Sequence, residues 1–165
     1  MKIRNVKLSA KLKSCPLDIA INKLKTKKIN FREFGNFISF TYVYSFVVFK
    51  PSKNGETHAN ITKVPRLKGH VKKCLSVLKK LLRTDIISFT VDNIIATTDL
   101  EKKVCLEKIS RERKNVVYNN ERFPGLFIKF RYGTSIVYHS GKIVIVGCKT
   151  VRRLIKIKKW LHAHI

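Results

Sequence analysis

The chain carries one pattern twice, about 89 residues apart. Glu33-Phe34-Gly35 aligns with Arg122-Phe123-Pro124-Gly125, and Val47-Val48-Phe49 with Ile136-Val137-Tyr138, both at an offset of 89. Arg4-Asn5-Val6 through Leu12 matches Asp92-Asn93-Ile94 through Leu100 at an offset of 88. Leu75, Leu78 and Leu82 match Leu154, Ile157 and Leu161, each set spaced i, i+3, i+7 as on one face of a helix. An internal duplication of roughly eighty residues restricts the fold to two copies of one small unit. The expected repeats are residues 1–84, divergent and with a longer loop near 50–57, and residues 85–165.

The second copy is the easier to read. Gly125 to Arg131, Thr134 to Tyr138 and Lys142 to Cys148 are β-rich runs parted by the turn signals Tyr132-Gly133-Thr134 and Ser140-Gly141, which predicts an antiparallel meander. Before it come a strand from Asp92 to Thr98, a helix from Leu100 to Arg111 and a short extended Val116-Val117-Tyr118; after it, a helix runs from Thr150 to the C-terminus. In the first copy the same reading predicts a strand from Ile3 to Leu12 and a helix from Leu17 to about Lys25 opened by Pro16. Strands follow around Phe34 to Tyr42, Tyr44 to Phe49 and His58 to Val64, then a helix from about Pro65 to Leu82. Asp85 to Thr90 is too short and apolar for a flexible tether, so the repeats are expected to pack as one continuous body. Strand, helix, antiparallel strands, helix, twice over, is an α+β pattern. Two such units joined edge to edge would make one curved sheet with helices on one side and an open face on the other. That face is apolar and rimmed with positive charge, which in a soluble chain should meet something.

Charge narrows what it meets. The 36 basic and 10 acidic residues leave a net +26, far beyond what solubility needs, and point to a polyanion. Residues 1 to 83 hold 20 basic and 3 acidic groups, residues 84 to 165 hold 16 and 7, so both copies are basic. No charged-then-apolar leader and no apolar run of transmembrane length predicts neither export nor membrane insertion. Cys15, Cys74, Cys105 and Cys148 lie far apart and are expected to be buried free thiols. Ten carboxylates present no acid/base pair and no glycine loop cradles a phosphate, so an enzyme is not expected, nor a cofactor, nor a metal. His162 and His164 read as a frayed helix end.

At this point the residues carry a resemblance. Asn93-Ile94-Ile95-Ala96-Thr97, Arg122-Phe123-Pro124-Gly125-Leu126, Ser140-Gly141-Lys142-Ile143-Val144 and Gly147-Cys148-Lys149 stand in the order and spacing of the C-terminal repeat of the TATA-box-binding protein family. Residues 92 to 165 resemble that repeat; residues 1 to 84 resemble its partner more weakly. The resemblance implies a saddle whose concave sheet sits in a widened minor groove of A·T-rich promoter DNA and bends it, nucleating transcription. Aromatic pairs would pry base steps apart at either end, a mode for which this family is itself the reference case.

The same resemblance assigns residues. Phe123 and Tyr138 match the intercalating pair of one repeat, Phe34 and Phe49 that of the other. Asn93 and Asn5 match asparagines that hydrogen-bond base acceptors, and Ile95 a valine packed on base edges. Lys129 and Lys142 stand near phosphate, and Val144 lies beside them on the groove side. Three positions depart from the family: Val146 replaces a base-contacting threonine, Lys7 a groove-floor valine, and Phe40 a phosphate-binding arginine. Asn119 and Arg122 replace residues that bind transcription factor IIB. Lys72, Lys73, Lys79 and Lys80, with Arg152, Arg153 and Lys156, would line the convex side and suit an acidic transcription-factor or polymerase-associated protein, or flanking phosphates. The expected compartment is the nucleus, or a viral replication compartment if a virus encodes the chain. The alternative is a basic RNA or single-strand binder stacking bases on Phe34, Phe37, Phe40, Tyr42 and Tyr44.

Overall fold

Side chains alternate between two faces along a strand, so every second residue of a half-buried strand enters the core. Val6, Leu8, Ala10 and Leu12 are buried while Lys7 and Lys11 are exposed, and this alternation recurs in most of the longer strands of the computed structural model, which describes residues 1–67 and 69–165. The fold is α+β, and the chain packs as two compact units, Asn5–Asp92 and Asn93–Ile165 with Met1–Arg4.

In the first unit β1 (Lys2–Leu12, of which the part from Asn5 belongs to this unit), α1 (Leu17–Thr26), β2 (Phe31–Phe34), β3 (Phe37–Tyr42), β4 (Tyr44–Phe49), β5 (Thr57–Val64) and α2 (His70–Leu82) follow in sequence. The antiparallel sheet order is β2-β3-β4-β5-β1. Pro16 sits at the N-cap of α1, where its missing N–H costs no helical hydrogen bond. Leu17, Ile21 and Leu24 of α1 and Leu75, Leu78 and Leu82 of α2 bury one stripe each against the sheet. Two expectations are corrected here. The run from Phe34 to Tyr42 is two strands, because Gly35-Asn36 turns the chain and pairs Phe34 with Phe37. The second helix begins at His70 and not near Pro65, since Gly69 holds a left-handed φ of 77° that no helix interior accepts.

In the second unit β6 (Ile86–Asp99), α3 (Leu106–Glu112), β7 (Val116–Val117), β8 (Gly125–Phe130), β9 (Gly133–Tyr138), β10 (Lys142–Cys148) and α4 (Val151–His164) repeat the plan, with the part of β6 from Asn93 belonging to this unit. The order is β6-β10-β9-β8-β7, and Leu154, Ile157 and Leu161 of α4 face the core. Asp85 to Thr90, read as a connection, is mostly strand, since β6 starts at Ile86. The helix expected from Leu100 starts only at Leu106. Leu100 and Val104 give their N–H groups to Gly141 O at 3.0 Å and His139 O at 2.9 Å, which ties this segment to the β9–β10 hairpin. Thr150 caps α4 by accepting from Arg153 N at 3.4 Å. The helix end is held, not frayed: His164 stacks on Trp160 with centroids 4.6 Å apart, and Arg113 donates to His164 O at 2.8 Å.

No helix among the described residues is long and apolar enough to cross a membrane. All four cysteines are free, but Cys105 is exposed, against the expectation of four buried thiols. Burial pushes the Cys74 thiol up to about 11 and also raises Cys15 and Cys148. Since the thiolate is the nucleophile, brief alkylation of the native protein near pH 8 should mark Cys105 and leave the other three. Peptide mapping checks this; rapid labelling of Cys74 would contradict its packing.

Candidate nucleic-acid interface

The helices cover one face of each sheet, and the residues between the buried ones form the other. In the second unit Ile94 and Ala96, Ile143 and Ile145, Ser135 and Val137, and Leu126 and Ile128 point inward. The face opposite therefore carries Asn93, Ile95 and Thr97, Val144 and Val146, Thr134, Ile136 and Tyr138, and Phe127 and Lys129. The counterpart residues of the first unit are Asn5, Lys7 and Ser9, Asn60 and Thr62, Ser45, Val47 and Phe49, and Phe37, Ser39 and Thr41. One face is an apolar strip and the other is mostly hydroxyls, amides and a lysine. The contrast lies in the side chains alone, because the backbones repeat in detail. Leu8 pairs with Ile61 and Val6 with Val64 across a bulge, as Ala96 pairs with Ile145 and Ile94 with Cys148. Each bulge contains one left-handed residue, Lys63 at φ 61° and Gly147 at φ 84°.

Aromatic side chains gather at one end of each face. Phe123 lies 6.1 Å from Tyr138 and 5.2 Å from Phe127 between ring centroids. The pair needs the bare backbone of Gly125, where a Cβ would come within 2.7 Å of Phe123 Cε1 and 3.2 Å of Tyr138 Cε1. In the first unit Phe34 stacks on Phe37 at 4.6 Å, and Phe37 meets Phe49 at 5.6 Å. Phe37 and Gly125 hold equivalent pairing positions, opposite Phe49 and Tyr138. Each cluster is thus a trio, the first with a ring at Phe37 where the second has glycine and takes its third ring from Phe127. Phe34 is the most open of these aromatics, 44% exposed.

Sequence comparison at a constant offset of 89 misses Phe37 and misplaces Phe40. The two-residue turn at Gly35-Asn36 changes the offset to 88 along β3, so Ile38 and Phe40 match the buried Leu126 and Ile128. A shift of one residue exchanges the faces of a strand. Phe40 is 4% exposed and stacks on Phe46 at 5.1 Å; it faces the core, and Thr41 is the counterpart of Lys129. Tyr44 is 2% exposed. Neither can serve as a stacking platform, which leaves Phe34, Phe37 and Tyr42 of the five proposed. The available signal was the Phe34-x-x-Phe37 spacing around a Gly-Asn turn.

Polar groups on the two faces are held differently. Gly147 donates its N–H to Asn93 Oδ1 at 2.7 Å. That bond fixes the amide and leaves its Nδ2 donors for an outside acceptor. The Asn5 Oδ1 is buried with no donor among the described residues. Lys7, Lys129 and Lys142 are exposed, and Lys11 pairs with Glu56 at 3.2 Å.

On the helical side Lys72, Lys73, Lys80, Arg152 and Lys156 are exposed. Two expected partner residues are already engaged. Lys79 pairs with Asp85 at 2.7 Å, and Lys79 and Lys13 together hold the Asp85 carboxyl below its usual range. Arg153 lays its guanidinium over the Tyr132 ring, 5.1 Å from its centroid.

These features have counterparts among known proteins. Residues 88–162 match the family described as Transcription factor TFIID (or TATA-binding protein, TBP). The chain is 37% identical over 71 residues to the TATA-box-binding protein of Sulfurisphaera tokodaii, which is 42% of this chain and 36% of that one. It is 40% identical over 63 residues to TATA-box-binding protein-like 1 of Entamoeba histolytica, 37% of this chain and 29% of that one. The aligned stretch is thus about a third of each relative's length. The fold is similar to that of Methanococcus jannaschii TBP, with a TM-score of 0.78 at 20% identity, covering 98% of this chain and 95% of that one. The second repeat thus resembles the TATA-binding protein family in sequence over residues 88–162, and the chain has the fold of Methanococcus jannaschii TBP.

Proposed function

We propose that this protein binds double-stranded DNA through the minor groove of an A·T-rich promoter element, bends it, and nucleates transcription initiation. The observation that carries the reading is the second unit's open face: Phe123 and Tyr138 over bare Gly125, ending an apolar strip of Ile95, Val144, Val146 and Ile136 beside an amide held at Asn93. Rigidly backed rings can wedge into a base step, apolar side chains suit a groove floor without guanine amino groups, and an oriented amide donates to its acceptors. Phe34 and Phe49, with Phe37, would form the second wedge. In this reading residues 1–84 and 85–165 act as the two halves of one saddle, and Lys129, Lys142 and Lys7 approach phosphate or groove. The exposed Lys72, Lys73, Lys80, Arg152 and Lys156 receive an acidic transcription-factor or polymerase-associated protein, in the nucleus or a viral replication compartment.

End-to-end fluorescence transfer on a short duplex with an A·T-rich centre, compared with a G·C-rich one at near-physiological salt, tests the reading. Salt is held constant because a chain of this charge binds any DNA when salt is low. A bend confined to the A·T-rich duplex is expected, and Phe123→Ala should abolish it and lower affinity about ten- to hundredfold, the scale of losing one aromatic–base stack. Equal binding to both duplexes with no bend would overturn it. Tighter binding to single strands would instead favour stacking on Phe34, Phe37 and Tyr42.

A further inference from the structure

The two repeats differ in charge at one matched position. Arg4 and Asp92 are counterparts, each standing directly before the asparagine of its strand, and Ser9 and Thr97 are counterparts at the same offset of 88. In the second unit Arg4 Nε donates to Thr97 Oγ1 at 2.9 Å. In the first unit the direction is reversed: Ser9 Oγ donates to Asp92 Oδ2 at 2.5 Å. A cation thus stands in one repeat where an anion stands in the other, although the chain as a whole has more than three basic residues for every acidic one.

The surroundings of Asp92 are short of hydrogen-bond donors. Thr90 Oγ1 donates to Asp92 Oδ1 at 3.1 Å, and the Ser9 hydroxyl also lies 3.0 Å from Asn60 Oδ1. The one Ser9 hydrogen goes to the carboxylate while its oxygen can accept from the Asn60 amide turned to present Nδ2, and a carboxylate has lone pairs to spare after two bonds. Ser9 and Asn60 belong to the open face, since Leu8 and Ala10, and Ala59 and Ile61, are buried. The group is only half-buried, so an outside donor can reach it. On the floor of the minor groove A·T and T·A pairs present acceptors alone, and the one donor is the N2 amino group of guanine. A carboxylate there opposes an A·T pair, acceptor against acceptor, and accepts from a G·C pair.

We infer that Asp92, with Ser9 and Asn60, is a specificity-determining site that accepts the guanine N2 amino group of one G·C pair within an otherwise A·T-rich element. This rests on the minor-groove reading above. Arg4, at the matched position of the other repeat, supplies donors and cannot do the same. The preference is therefore confined to one side of the element and gives the complex a direction.

The test steps a single G·C pair, and separately a single inosine·C pair, through the A·T-rich duplex and measures affinity and bend with wild-type protein. Inosine differs from guanine in the minor groove only by lacking the amino group. At a position on one side of the centre, G·C should bind about five- to tenfold tighter than inosine·C, the low end of discrimination by a good base contact; elsewhere inosine·C should be equal or better. Asp92→Arg, which gives the second repeat the charge of the first, should turn this preference into an aversion. Ser9→Ala, a smaller change, should weaken it. Inosine·C equal to or better than G·C at every position, with the A·T-rich bend intact, overturns the inference and leaves the minor-groove reading standing. Absence of any bend overturns both.

Discussion

Replacing Phe46 by alanine should lower the unfolding free energy by about 3–5 kcal/mol, the range for deleting a buried phenyl ring from a packed core. Phe46 is among the largest fully buried side chains, and it is the hub of an aromatic cluster in the first unit. It stacks on Phe40 at 5.1 Å and meets Tyr44 edge-on at 6.3 Å. Its strand partners Phe40 and Ile61 are themselves buried, so no neighbour can swing in from solvent to refill the space. The second unit fills the matched position with Ser135, whose buried hydroxyl has no partner among the described residues, and so depends far less on that site. Urea denaturation would show the effect as a fall in midpoint; a loss under about 1 kcal/mol would mean that the aromatic cluster is not the first unit's core.

On the minor-groove function proposed above, Gly125→Val should weaken binding to the A·T-rich duplex about ten- to hundredfold and abolish its bend, matching the loss of one aromatic–base stack without removing any ring. A Cβ there would approach Phe123 Cε1 to 2.7 Å, Ile136 Cγ2 to 2.8 Å and Tyr138 Cε1 to 3.2 Å. All three are side-chain atoms, so the backbone can stay in place while the two rings are forced apart. The damage should fall on the wedge and spare the sheet. Gly35→Val is the control, because a Cβ at Gly35 meets nothing within 4 Å among the described residues. Unchanged bending by Gly125→Val would show that the spacing of Phe123 and Tyr138 is not what opens the base step.

The duplication was legible because it is written in spacing. Helix stripes at i, i+3, i+7 and strands with alternate apolar residues survive divergence, since any substitution that breaks them exposes apolar surface or buries charge. Leu75, Leu78 and Leu82, and their partners Leu154, Ile157 and Leu161, are all buried where the periodicity put them. Helix starts were less legible. The late start of α2 depends on a left-handed Gly69, and that of α3 on hydrogen bonds from Leu100 and Val104 to a hairpin some forty residues away.

The amino-acid sequence alone determined two basic α+β repeats, the core stripe of each main helix, and the aromatic candidates Phe34, Phe49, Phe123 and Tyr138. Only the tertiary structure decided which aromatics reach the open face. Phe40 and Phe37 exchange roles through a one-residue change of register at Gly35-Asn36, and local composition is the same for either phase of a strand whose period is two. The tertiary structure also decided that the Asn93 amide is held by Gly147 while the Asn5 amide is not, and that Ser9 meets Asp92 where Thr97 meets Arg4. Those bonds join residues 54 to 93 positions apart, and a hydrogen bond depends on distances of a few ångströms in space, which sequence separation does not encode.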